Sequence, residues 1–321
     1  MTENSKTRTI QAYLRPRLKV LGGLSVIGLS LPWAPWELAH SLPLLGWLLD
    51  LAVHWQWHYA AVAGLSFLGL GLLGRAQAAR AWLAGVALCG LPFLSALPAL
   101  APAQQPSGVA LRVASLNLNL DNTSFGQILA WADDKRPDVL ALQEMTPDMS
   151  ELGVELRKRF PFYSESARPG AFGSAVYSLH PLNKVVQEEG AHGAVTYFEL
   201  QWDGLAVLVA AVHPYPPLTP ENWLGRDALL QRVAQRIGER APSVVLGDFN
   251  ASPWSSGLQA MQEDGFSRAT RLAPTHSLWE GLTIDHVLAR DTQWRVAAAG
   301  VGPDVGSDHR PIWADLEPKA P

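Results

Sequence analysis

The chain has 321 residues, 48% of them hydrophobic and 17% charged, with a formal net charge of −4. That length allows one large domain or two ordinary ones, and a single cysteine, Cys89, excludes an intrachain disulfide. From Arg112 onward there are 18 basic and 26 acidic residues, net −8, which argues against tight non-specific binding of a phosphate backbone.

Residues 1–19 are polar and basic, with Lys6, Arg8, Arg15, Arg17 and Lys19. Val20 to Trp36 follows with no formal charge, about the length that spans a bilayer core. A signal peptide is the competing reading. Two further apolar segments, and no small-residue cleavage site near Trp33, weigh against it. Leu51 to Gly74 is the second uncharged run, its spanning part at Tyr59 to Gly74, with Trp55 and Trp57 suited to an interface. Ala81 to about Leu100 is the third, and its Pro92 and Pro98 are tolerated in membrane helices. A buried helical domain is the alternative for all three.

The basic N-terminus, with Arg75 and Arg80 between the second and third runs, marks the inner side by the positive-inside rule. The expected layout is a cytoplasmic segment 1–19, a region 20–100 with three transmembrane helices, a Pro- and Gln-containing linker 101–108, and an extracytoplasmic domain 109–321. The expected location is the cell (inner) membrane, with the lipid bilayer as a partner and no obligate protein partner.

From Val109 short strands alternate with helices. Strands are expected at Ala110 to Leu116, Asp138 to Leu142, Ser174 to Ser178, Val195 to Gln201 and Leu205 to Val212. More follow around Ser243 to Leu246, Thr283 to Ala289, Trp294 to Ala299 and Ile312 to Leu316. Helices are expected at Ser124 to Asp134, with Ser124 as N-cap, at Pro147 to Phe160, and at Pro220 to Arg240. On the last, Leu224, Leu229, Val233 and Ile237 recur at near-helical spacing, and Arg226 reads as a surface charge.

The polar residues concentrate where strands stop or start. Gly247-Asp248-Phe249-Asn250 closes a buried apolar run, and in an extended segment Asp248 and Asn250 would project to the same side. An Asx-turn is the simpler reading of that pair. Asn117, Glu144 and His213 end three other strands, Asp285 and His286 lie in a fifth, and Asp308-His309-Arg310-Pro311 precedes the last.

Taken together, Ser115-Leu116-Asn117-Leu118-Asn119, Gln143-Glu144, Gly173-Ser174-Ala175, His213, Gly247-Asp248-Phe249-Asn250, Ile284-Asp285-His286 and Ser307-Asp308-His309-Arg310-Pro311 resemble the endonuclease/exonuclease/phosphatase superfamily over about residues 109–317. The resemblance implies an α+β fold, a four-layer αββα sandwich of the deoxyribonuclease-I-like kind. It implies a Mg²⁺- or Mn²⁺-dependent phosphoesterase with Glu144, Asn117 and Asp308 at the metal. Asp248 would orient or deprotonate the attacking water, Asn250 would hold the phosphate, and His309, steadied by Asp285, would contact it. His213 would serve as acid for the leaving oxygen. His213 disfavours the abasic-site repair members, and Leu179-His180 departs from the basic residue that often follows Ser178. Tethering points to a lipid-linked phosphate or pyrophosphate as substrate; a tethered nuclease and a catalytically silent scaffold are the alternatives.

Overall fold

The structure is a computed structural model and describes residues 3–73, 76–90, 108–238, 241–270, 272–277 and 281–319. The chain divides into two compact units, Met1–Leu97 and Pro98–Pro321.

The first unit is helical: α1 (Glu3–Ser30), α2 (Trp36–His40), α3 (Pro43–Val53), α4 (Gln56–Leu72) and α5 (Ala76–Cys89). Among the described residues no helix is long and apolar enough to cross a membrane, so the three expected transmembrane helices are not met there. The reasons are local. α1 runs straight through the basic segment and ends at Ser30, where Pro32 opens a single 3₁₀ turn and splits the run Val20 to Trp36. α4 has only 17 residues, about 26 Å at 1.5 Å per residue against a core of about 30 Å. α5 has 14 residues, and the rest of the third run, 91–100, lies outside the described residues together with most of the linker.

The second unit contains two six-stranded sheets. One is ordered β11-β12-β1-β2-β4-β3 and the other β5-β6-β7-β8-β10-β9. The strands are β1 (Leu111–Asn117), β2 (Val139–Gln143), β3 (Phe162–Ser166), β4 (Ser174–Ser178), β5 (Leu182–Gly190), β6 (Gly193–Trp202), β7 (Leu205–Pro214), β8 (Ser243–Asp248), β9 (Phe266–Arg268), β10 (Asp285–Arg290), β11 (Trp294–Val301) and β12 (Ile312–Pro318). Each sheet has one parallel pair at its centre, β1 with β2 and β7 with β8; the other pairings are antiparallel.

Side-chain alternation decides the layers. Val113, Val139 and Ala141 of one sheet meet Val209, Val244 and Leu246 of the other in a shared core. The residues in between, Ala114 and Leu140, face outward onto Ile128, Trp131, Leu152 and Leu156 of helices Phe125–Lys135 and Ser150–Arg157. On the far side Ala210, Val212 and Val245 face Leu229, Leu230, Val233 and Leu258 of helices Pro220–Ile237 and Ser256–Glu263. Central strands are thus buried on both faces, which is why they read as continuous apolar runs. The expected four-layer order is observed.

Most expected elements recur with shifted ends. The helix Pro220–Ile237 starts where Thr219 Oγ1 accepts the Asn222 N–H (3.2 Å) and stops at Gly238, whose φ of 62° is left-handed. Ser124 makes no side-chain cap; Asn122 Oδ1 accepts the Ser124 N–H instead, at 2.8 Å. β3, β5 and β9 were not anticipated. β5 is a mostly exposed edge strand, so no buried face forces its residues to alternate.

Candidate active site

Strand direction gathers the polar residues. Parallel neighbours end at the same edge, so the pairing Asn117↔Gln143 puts Asn117 beside Glu144, and Val212↔Gly247 puts His213 beside Asp248. β10 is antiparallel to β8 and starts at that edge, with Asp285 directly opposite Asp248. β12 is antiparallel to β1, so the turn before it, with Asp308 and His309, returns to the end of β1, where Ser307 Oγ donates to Asn117 O at 2.7 Å.

Asn117 links the two sheets. Its Nδ2 donates to Glu144 Oε1 at 3.0 Å and to Asp248 Oδ2 at 3.1 Å, while its Oδ1 accepts the Asn119 N–H at 3.0 Å. Glu144 Oε2 accepts the Leu120 N–H at 3.1 Å. Glu144 and Asn119 both have φ of 61° and Asn250 has 48°. Left-handed backbone costs a residue with a Cβ about 1–2 kcal/mol, and at Glu144, which has no special tolerance for it, the turn aims the carboxylate into the rim.

Two imidazoles flank Asp248. His213 Nε2 lies 3.6 Å and His309 Nε2 3.7 Å from Asp248 Oδ2. His309 Nδ1 lies 2.9 Å from Asp285 Oδ2 and 3.1 Å from Oδ1. Burial works against a charged His309, but the carboxylates of Asp285, Asp248 and Asp308 outweigh it and push its pKa up to about 10. Asp308 is held well below the usual carboxylate range, by its bond from His276 first, against the effect of burial, and then by His309 and Asn119. Phe172 lies against His213 (ring centroids 5.2 Å) and Tyr215 (4.3 Å) at the mouth of the same rim.

Asn250 departs from expectation. The strand ends at Asp248, and Asp248 Oδ1 accepts the Asn250 N–H at 2.8 Å, so the pair does form an Asx-turn. The turn, not strand alternation, places Asn250, whose Nδ2 donates to Pro214 O at 3.0 Å and stands 3.5 Å from Asp248 Oδ2. Arg226 is not a surface charge: it is fully buried, ion-paired to Asp227 and donating to Asn250 O at 3.0 Å. His286, next to Asp285, alternates away from the rim and lies 2.8 Å from Ala251 O.

All eight expected site residues therefore gather at one rim. Two contributors went unanticipated. Thr275 Oγ1 accepts the Ile284 and Asp285 N–H groups at 3.0 and 3.1 Å, and the His276 ring meets His309 edge-on at 4.5 Å. They sit in a loop whose only sequence cue is Pro274-Thr275-His276.

The donor set suits a hard divalent cation. Glu144, Asp248, Asp308 and Asn117 supply oxygen, and Glu144 and Asp308 are partly exposed, so an ion could reach them. Asp248, Asp285 and His309 form a buried group with one ligand atom each within 4.8 Å of the others.

Two sheets with parallel centres and flanking helices thus carry one acidic and imidazole rim. Residues 114–309 match the Endonuclease/Exonuclease/phosphatase family, and the chain belongs to that family. No curated protein matches it significantly. Solved structures share the fold. An endonuclease/exonuclease/phosphatase from Beutenbergia cavernae is 22% identical, with TM-score 0.55, over 66% of this chain and 72% of its own. The human Nocturnin catalytic domain with bound sulfate is 18% identical, with TM-score 0.54, over 65% and 95%. The 3′ phosphatase NExo from Neisseria, bound to product DNA hairpin, is 18% identical, with TM-score 0.53, over 65% and 100%.

Proposed function

We propose that the chain is a Mg²⁺- or Mn²⁺-dependent phosphoesterase acting on a phosphate ester or pyrophosphate, with a lipid-linked compound as substrate. The observation that carries the hydrolase is the Asn117 bridge, which sets Glu144 and Asp248 side by side with two imidazoles within 3.7 Å of the Asp248 carboxylate.

Glu144, with Asn117 and Asp308, would hold the cation, whose charge when bound neutralises the phosphate oxygens. Asp248 orients the attacking water and takes its proton, since its Oδ2 is the one carboxylate atom shared by Asn117, His213 and His309. Protonated His309 donates from Nε2 to a phosphate oxygen, because Asp285 occupies Nδ1. Asn250 Nδ2 donates to Pro214 O and, at 3.5 Å, to Asp248 Oδ2, and would give up the longer of the two bonds to hold the phosphate; His213 supplies a proton to the departing oxygen.

The lipid reading and a cell-membrane location draw on the helical unit. Leu24, Ile27, Leu44, Leu65 and Leu72 there are each at least 60% exposed, an apolar surface that favours a bilayer over water. The outward placement of the catalytic unit rests on sequence charge asymmetry alone. A nuclease is the second reading, favoured by the DNA-bound Neisseria protein and opposed by the −8 charge.

The full chain should be assayed with Mg²⁺ and Mn²⁺ on a lipid pyrophosphate, a phosphodiester lipid and duplex and single-stranded DNA. Release of phosphate from either lipid is the expected result. Cleavage of DNA alone would overturn the lipid assignment, and inertness toward all substrates with either metal would overturn the hydrolase.

A further inference from the structure

We propose that His276, Asp308 and His309 form a cation site selective for a borderline transition metal such as Zn²⁺, and that filling it, because it draws Asp308 and His309 out of the hydrolytic centre, shuts that centre down. The inhibition rests on the function proposed above; the binding does not.

One ligand atom from each of the three residues lies within 4.8 Å of the others. His276 Nε2 is 3.5 Å from Asp308 Oδ2, and the His276 and His309 rings meet at 87°. Two imidazoles and one carboxylate make a donor set that zinc accepts and magnesium, which demands oxygen, does not favour. The set is also held in place before any ion arrives. His276 pairs with His309 through a β-bridge, Ser277 N donates to Asp308 O (2.8 Å), and Arg310 N donates to Thr275 O (2.7 Å).

His309 is oriented as a metal ligand would be. Its Nδ1 faces the Asp285 carboxylate, leaving Nε2 for an ion, the arrangement in which a carboxylate fixes a ligating histidine. A cavity of about 470 Å³ opens onto His276 and Asp308, with Ser277, Ser307 and Arg310 at its wall; His309 is the buried member of the set. An ion on His309 Nε2 would release the proton that this nitrogen carries and take the atom assigned to the substrate phosphate. Metal and substrate then compete.

Co²⁺ serves as the spectroscopic probe on the full-length chain. Stoichiometric Co²⁺ should give visible absorption bands of a nitrogen-containing site, and Zn²⁺ should bleach them. His276→Phe keeps a ring against His309 but removes the ligand, and should weaken Co²⁺ binding by about 10- to 100-fold or more, the range that even outer-shell partners carry. His276→Gln serves as a second variant should the first fold poorly. Equal Co²⁺ affinity in wild type and folded variant, or no visible bands at all, would overturn the site. In the Mg²⁺-dependent assay Zn²⁺ should inhibit the wild type, with about tenfold more required for the variant. His276-dependent binding without inhibition would retain the site and overturn its regulatory role.

Discussion

His309 faces the buried Asp285 carboxylate through Nδ1 at 2.9 Å, and its Nε2 stands 3.7 Å from Asp248. The imidazolium is therefore held between two carboxylates with its one remaining N–H aimed at the rim. With its pKa pushed up to about 10, the charged form persists through neutral and mildly alkaline pH. The kcat/KM profile should fall on an alkaline limb near pH 10. Asp285→Asn removes the largest contribution opposing burial, so the limb should move to lower pH and kcat should drop by roughly 10²–10⁴-fold. A pH-rate comparison of the two proteins reads both effects; an unmoved limb would separate His309 from the chemistry.

The His309 shift affects stability with a definite sign. The folded pKa of His309 lies above its unfolded value of about 6.5, so its contribution is complete below about pH 6.5 and disappears as pH rises through about 10. Urea unfolding should show wild type more stable than Asp285→Asn at pH 6, with the gap narrowed at pH 10.5.

Glu144 accepts one hydrogen bond on each oxygen, from Asn117 and from Leu120. Glu144→Gln keeps the shape but loses the charge and presents an amide hydrogen to one of those donors. Stability should fall by only about 1 kcal/mol, while Mg²⁺ affinity measured by calorimetry should fall at least about 100-fold and hydrolysis with it. Retained Mg²⁺ binding would remove Glu144 from the metal site.

Arg226 is buried with Asp227 and anchors the Asn250 carbonyl from behind. Truncation strands the Asp227 charge, so Arg226→Ala should cost about 3–5 kcal/mol in denaturant unfolding. A loss within 0.5 kcal/mol would mean that the pair is no support for the Asn250 turn.

Exposed leucines on α1, α3 and α4 should bring the full chain down with anionic vesicles in sedimentation. A chain beginning at Gly108 should stay in the supernatant yet retain hydrolysis of a soluble phosphodiester. Co-sedimentation of both would move membrane contact to the second unit.

That the eight expected residues would gather was legible from the family resemblance and from their place, mostly polar side chains where an apolar run stops or starts, where burial does not ask for polarity. The inner strands were readable for the converse reason: covered on both faces, they are apolar throughout. β3 and β5 were opaque, since strands at an edge need no inward pattern. The helical unit misled, because a charge-free run looks alike whether one helix carries it unbroken or Pro32 divides it.

From sequence alone came the residue types, their order and the apolar runs that become strands, since such runs are local; the four-layer order came with the family resemblance. Distances were decided only by the tertiary structure. Parallel pairing put Asn117 with Glu144 and His213 with Asp248, antiparallel return brought in Asp285 and His309, and β-bridging to His309 carried His276 into the same group. Such neighbours lie up to 190 positions apart (Asn117 and Ser307), and only strand register, set by packing between the sheets, can join them.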